Sequence, residues 1–250
     1  MMRTKIKYQA LFITLLLMSF SFAGKKKIRI FMAGDSTMQN YNINKTPQRG
    51  WGQMLPSFFN KDVTIFNEAR GGRSTKSFIK EGLWQKLLDA VQKDDWVFIE
   101  FGHNDQDKRK PERYTPPENY KRNLEKMVKD VLAKGAHPIL LTPIAMRSFK
   151  PDGKYYDGHG VYPEKVKEVA KELNVPLIDL DKSYGEVVSN LGSERSKALF
   201  MNFGPNIYKA FPNGDKDNTH QREAGATEIA KLAVQGIKDN NIKPLIENLK

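Results

Sequence analysis

The residues with chemistry to offer are a serine, an asparagine, a glycine pair and a histidine preceded by a carboxylate. Ser36 follows Gly34-Asp35 at the end of an apolar run, where glycine permits a sharp turn that exposes the next side chain. A serine hydroxyl is a weak nucleophile until a base takes its proton. Asp217 stands three residues before His220. That spacing lets the carboxylate fold back onto Nδ1 and leaves the other ring nitrogen as a general base. Acyl transfer builds negative charge on a carbonyl oxygen, and fixed N–H groups aimed at that oxygen stabilise it. The Ser36 N–H, the Gly72 N–H and the Asn104 side chain are the candidate donors. Singly, each signal has a plainer reading: a turn serine or an Asp-x-x-His at a helix start is usually a cap. Their joint placement, at predicted strand ends and at the start of the last helix, carries the argument.

The elements that must position these groups alternate in type. Residues 27–33, 63–66, 96–101, 138–142 and 176–180 read as strands, most of them apolar throughout, as strands buried on both faces are. Between them lie helical patterns. Trp51, Leu55, Phe58 and Phe59 share one face, and Ile79, Leu83 and Leu87 another. Thr115-Pro116-Pro117-Glu118 has the spacing of a capping box, opening a helix with Tyr120, Leu124, Met127, Val128, Val131 and Leu132 on one stripe. Residues 161–173 form a further helix, and the last helix is predicted to start near Thr219. Alternating strands and helices imply right-handed crossovers. The expectation is an α/β fold: a three-layer α/β/α sandwich with a five-stranded parallel sheet in the flavodoxin-like order 2-1-3-4-5. That order puts Ser36 and Asn104 side by side at the topological switch point. Residues 148–160, rich in Gly, Asp and Tyr, are predicted to form a loop over the site.

The order Ser, Gly, Asn, Asp/His resembles the SGNH (GDSL) hydrolase superfamily, and the spelling is closer still to the rhamnogalacturonan acetylesterases. The matching blocks are Gly34-Asp35-Ser36-Thr37-Met38, Gly50-Trp51-Gly52, Asn67-Glu68-Ala69-Arg70-Gly71-Gly72-Arg73-Ser74, Phe101-Gly102-His103-Asn104-Asp105 and Asp217-Asn218-Thr219-His220. Many members have histidine where Asn218 stands. The resemblance implies Ser36 as nucleophile, His220 as base and Asp217 as its orienter. It implies an oxyanion hole of the Ser36 N–H, the Gly72 N–H and the Asn104 amide, with no metal and no cofactor. Arg73 and His159 are the candidate substrate contacts. His103 reads as structural, and Glu100, an acid inside an apolar strand, needs a partner, for which Arg70 or Arg73 could serve.

The rest of the composition bounds partners and compartment. Arg3, Lys5 and Lys7, an apolar run over residues 10–20 and Ser21-Phe22-Ala23 form a secretory signal peptide over residues 1–23. Residues 24–250 then make a single domain, secreted or periplasmic, with no stable membrane insertion after cleavage. Cysteine is absent, which excludes disulfides and thiolate metal sites. The net charge of +12 falls to +9 without the leader's three bases. Such a surplus favours an anionic partner, and export makes that an acidic polysaccharide rather than nucleic acid, which the resemblance implies is acetylated. A monomer is expected. A metal-dependent phosphoesterase using Asp35, His103, Asp105, Asp217 and His220 is the rival enzyme reading, but the first strand lacks an Asp-x-His pair. A non-catalytic polysaccharide-binding module is the other rival, opposed by a catalytic set with no member missing.

Overall fold

The computed structural model describes residues 27–250, and the leader reading of residues 1–23 lies outside the described residues. Strands β1 (Ile28–Gly34), β3 (Val63–Asn67), β4 (Trp96–Glu100), β5 (His137–Leu141) and β6 (Leu177–Ile178) form one parallel sheet. Their spatial order is β3-β1-β4-β5-β6. Counted within the sheet, this is the expected 2-1-3-4-5.

Successive side chains along a strand face opposite layers. Ile30, Met32, Phe98, Ile139 and Leu141 pack on one side with Trp51, Leu55, Tyr184, Ile229 and Ala233. Phe31, Ala33, Val97, Ile99 and Leu140 pack on the other with Phe78, Leu87, Tyr120, Leu124 and Val166. The first layer is built from helices α1 (Trp51–Met54), α6 (Leu180–Arg195), α7 (Glu223–Asp239) and α8 (Lys243–Ile246). The second comprises α2 (Thr75–Lys80), α3 (Leu83–Ala90), α4 (Pro117–Ala133) and α5 (Tyr162–Glu172).

Several local expectations are corrected. The helix expected from Trp51 to Phe59 is a single α-turn followed by a 3₁₀ turn, Leu55–Phe58, with Pro56 in its first turn. The apolar stripe of residues 79–87 is split at Gly82, whose φ of 75° separates α2 from α3. No capping box forms at Thr115: its hydroxyl donates to the Arg113 carbonyl, and α4 opens with Pro117 at its first position. Leu132, placed on the buried stripe of α4, is 45 % exposed.

The largest difference lies near the C-terminal end. A second, antiparallel sheet joins β2 (Gln48–Arg49), β8 (Asp215–Arg222) and β7 (Phe200–Phe203) in the order β2-β8-β7. Asp217 and His220 therefore sit on a strand, and α7 starts only at Glu223. Between the pairs Asn202–Lys216 and Phe200–Gln221, β7 advances two residues while β8 advances five. The surplus residues of β8 bulge from the ladder, and they are the ones that carry Asp217 and His220.

Candidate active site

β1 and β4 are neighbours, so their carboxyl ends deliver Ser36 and Asn104 to one edge of the sheet. Gly102 follows β4 with φ of 150°, and a Cβ there would lie 2.7 Å from the Pro143 ring. Only glycine fits this bend, which turns His103-Asn104-Asp105 out of the strand direction. Gly72, with φ of 78°, makes the corresponding turn after β3. The Gly71 N–H donates to Gln39 Oε1 at 2.6 Å, which ties the glycine loop to the serine loop. Asp105 accepts from the Thr75 N–H at 3.0 Å and from its hydroxyl, so it fastens the asparagine block to the start of α2.

His220 Nε2 lies 2.9 Å from Ser36 Oγ, and His220 Nδ1 lies 2.5 Å from Asp217 Oδ2. Asp217 Oδ1 also accepts the N–H groups of Thr219 and His220, at 2.7 and 3.0 Å, which the bulge in β8 makes possible. A hydroxyl, an imidazole and a carboxylate in this sequence of contacts can generate an activated nucleophile. Burial alone would lower the His220 pKa, but the bond and charge of Asp217 outweigh it and raise the ring above its usual value. Burial alone would raise Asp217, yet its bonds from His220 and Thr219 hold it below the ordinary carboxylate range.

Among the described residues, neither the Ser36 N–H nor the Gly72 N–H donates to a protein acceptor. Both residues line one cavity of about 850 Å³ with Asn104, Asp217 and His220. The Asn104 amide nitrogen already donates to Asp35 Oδ2 at 3.1 Å and to the Arg73 carbonyl at 3.0 Å. An oxyanion in this cavity would share those hydrogens with Asp35 and Arg73, while the two backbone donors stand free.

Behind the serine loop lies a set of buried acids. Glu100 is partnered not by an arginine, as expected, but by Trp51 Nε1 at 3.2 Å and the Thr37 hydroxyl at 3.2 Å. The Thr37 N–H and hydroxyl contact Asp35 Oδ1 at 2.9 Å. Burial pushes Glu100 up to about 8 and Asp105 up to about 7, and it raises Asp35 as well. A proton that the folded protein holds on Glu100 is lost from the unfolded chain above its ordinary value of 4.5. Stability from this site is thus present at low pH and declines as pH rises toward 8. Glu100→Gln stays neutral throughout. Its melting temperature should gain on the wild type as pH goes from 5 to 8, by an amount on the order of a few kcal/mol in stability. Thermal melts across that range check this, and a gap that does not change with pH would contradict it.

Arg73 and His159 sit differently from the other candidates. The Arg73 guanidinium bonds Glu81 at 3.0 Å and the Gly71 carbonyl at 2.8 Å. His159 comes from the predicted loop but is 1 % exposed. Its Nδ1 lies 3.1 Å from Asp181 and its Nε2 lies 3.3 Å from His103 Nδ1, so it backs His103, which lines the cavity. The ligand atoms of Asp157, His159 and Asp181 lie within 4.8 Å of one another. Burial opposes charge on His159, but the two carboxylates raise its pKa, as in an imidazolium held between anions. The five groups weighed as metal ligands do not converge: Asp35 turns to Thr37, Asp105 to Thr75 and Asp217 to His220. The guanidinium groups that do line the cavity belong to Arg109 and Arg113. The basic stretch from Lys108 to Arg113, shortly after His103-Asn104-Asp105, is the available signal for them.

The model of the GDSL-like lipase/acylhydrolase family matches residues 32–226. The chain belongs to that family. It is an esterase. It is 39 % identical to rhamnogalacturonan acetylesterase RhgT of Bacillus subtilis, over 90 % of this chain and 95 % of the relative. It is 40 % identical to the probable rhamnogalacturonan acetylesterase YesY of Bacillus subtilis, over 88 % of this chain and 96 % of that protein. Among solved structures, Bacillus subtilis YxiM superposes with a TM-score of 0.74 at 30 % identity, over 87 % of this chain and only 58 % of YxiM. The acetylxylan esterase Axe2 of Geobacillus stearothermophilus superposes with a TM-score of 0.61 at 19 % identity, over 85 % of this chain and 96 % of Axe2, a likeness of fold. Among the described residues no helix is long and apolar enough to cross a membrane.

Proposed function

We propose that this esterase removes O-acetyl groups from an acidic pectic polysaccharide of the rhamnogalacturonan type, through a serine-bound acetyl intermediate. The observation that carries the mechanism is the 2.9 Å contact between Ser36 Oγ and His220 Nε2, backed by Asp217. Ser36 Oγ attacks the acetyl carbonyl and its proton passes to His220 Nε2. The oxyanion is met by the Ser36 and Gly72 N–H groups, with the Asn104 amide as the third donor. His220 then protonates the departing sugar oxygen. Water, deprotonated by the same nitrogen, releases acetate and restores Ser36. The substrate class is supported by the names of two relatives that match nearly end to end, and by the surplus of positive charge. The leader read over residues 1–23 supports export to where such a polymer is met.

The test is acetate release from acetylated rhamnogalacturonan, acetylxylan and an acetylated neutral pectic side chain. The expected result is the highest kcat/KM on rhamnogalacturonan. Release from acetylxylan alone would overturn the substrate while leaving the chemistry standing.

A further inference from the structure

The mouth of the cavity holds a second polar group, outside the acyl-transfer machinery. Asp107 Oδ1 accepts from Arg109 Nε at 2.7 Å, and Asp107 Oδ2 accepts from Arg113 Nη2 at 2.9 Å. All three residues line the same cavity as Ser36 and Gly72. Two cations share one anion, so the cluster keeps a net positive charge. The hydrogen bond from Arg109 is the largest influence on Asp107 and, with that from Arg113, outweighs burial; the carboxylate stays well below the usual range and does not titrate away.

The two arginines differ. The Arg109 side chain is 89 % exposed, whereas that of Arg113 is only 25 % exposed. Arg113 Nε is buried and, among the described residues, meets no acceptor. A Cβ on Gly72 would lie 3.6 Å from Arg113 Nη1, and that nitrogen too has no acceptor among the described residues. A half-buried guanidinium, anchored at one nitrogen by Asp107, thus keeps an unused Nη1 beside Gly72, whose own N–H is one of the two free backbone donors of the cavity. Unmet donors in a confined site call for an anionic acceptor, and a planar guanidinium fits a carboxylate.

We propose that Arg113, assisted by Arg109, is the binding site for a uronate carboxylate of the substrate, on the acetylated sugar or its neighbour. Asp107 holds the fork of Arg113 in place before the substrate arrives. The inference rests on the acetylesterase reading and adds to it the residue that selects an acidic chain over a neutral one. It also explains how selection is coupled to chemistry. The group that reads the acid lies beside the loop that supplies an oxyanion donor, so an acidic chain enters with its ester near that donor.

The experiment compares wild type with Arg113→Gln on acetylated rhamnogalacturonan and on the same polymer after reduction of its carboxyl groups. The readout is the ratio of kcat/KM on the two polymers, in which any general loss of activity cancels. The wild-type ratio should favour the acidic polymer and shrink with added salt. In Arg113→Gln it should fall by about 10–100-fold, the range for a charge-assisted hydrogen bond, and mainly through KM. A ratio that survives the substitution overturns the proposal. The second measurement does not depend on the polymer being a substrate: oligogalacturonate as an inhibitor of p-nitrophenyl acetate hydrolysis. Its inhibition constant should rise by a similar factor in Arg113→Gln, and an unchanged constant likewise overturns the site. Absence of acetate release from either polymer by the wild type, with oligogalacturonate inhibition still dependent on Arg113, would instead defeat the proposed substrate and leave the carboxylate site standing.

Discussion

Ser36→Ala is expected to lower kcat for acetate release by about 10⁶-fold, the scale of loss when the nucleophile of a serine–histidine pair is removed. The substitution deletes Oγ, the atom 2.9 Å from His220 Nε2. Water must then attack the ester directly, with His220 still present as a base and the Ser36 and Gly72 N–H groups still able to meet the oxyanion. Residual catalysis of about 10³–10⁴-fold over the solution reaction is therefore expected. The acetyl intermediate cannot form, so burst kinetics with p-nitrophenyl acetate and covalent labelling by a fluorophosphonate should both vanish. His220→Ala should lose nearly as much, and the double variant little more than either, because the two groups act in one proton transfer. The melting temperature should hardly move, since Ser36 is half-buried on a turn whose other contacts run through Asp35, Thr37 and Met38. A folded Ser36→Ala protein with a wild-type rate would place the chemistry elsewhere.

What could be read from the sequence follows from where burial was decisive. β1, β4 and β5 are covered by helices on both faces, so their residues are apolar in unbroken runs, and their ends were legible to within a residue or two. Those ends located Ser36 and Asn104. β8 has no such pattern: Asp215-Lys216-Asp217-Asn218-Thr219-His220-Gln221-Arg222 is polar throughout and reads as a helix cap. It is a strand because its partners, β2 and β7, come from distant parts of the chain, and a pairing made only in tertiary structure leaves no local period. The residue types of the Asp217–His220 pair were visible, but the bulge that folds one onto the other was not. His159 reads as a candidate substrate contact because it sits in a Gly- and Asp-rich loop predicted over the site, yet Asp181 and His103 draw it inward. Arg113 was missed for the opposite reason. It follows Lys108-Arg109-Lys110 by three residues in a charged stretch that looks solvated, and only the fold brings it beside Gly72.

Asp217→Asn should reduce kcat/KM by about 10⁴-fold while leaving the fold intact, and it should also move the pH profile. Asp217 Oδ1 accepts two backbone N–H groups of the bulge, and an asparagine oxygen can keep both. Its amide nitrogen then faces His220 Nδ1, where Oδ2 accepted the ring's N–H before. Two N–H groups cannot donate to each other, so the ring must offer its lone pair at Nδ1 and carry its proton on Nε2. That proton points at Ser36 Oγ, and the nitrogen meant to receive a proton is blocked. The pH dependence has a definite sign. In the wild type kcat/KM should rise with pH as His220 becomes neutral, and this limb should lie above the usual histidine value, because the bond and charge of Asp217 outweigh burial at the ring. Without the anion, burial is the dominant influence on the ring, and the limb of the residual activity should shift to lower pH. Glutamate at this position keeps the charge but lengthens the reach, so Asp217→Glu should retain the raised limb while losing rate through geometry. A profile that stays in place in Asp217→Asn, with a rate close to wild type, would mean that some other acceptor orients His220.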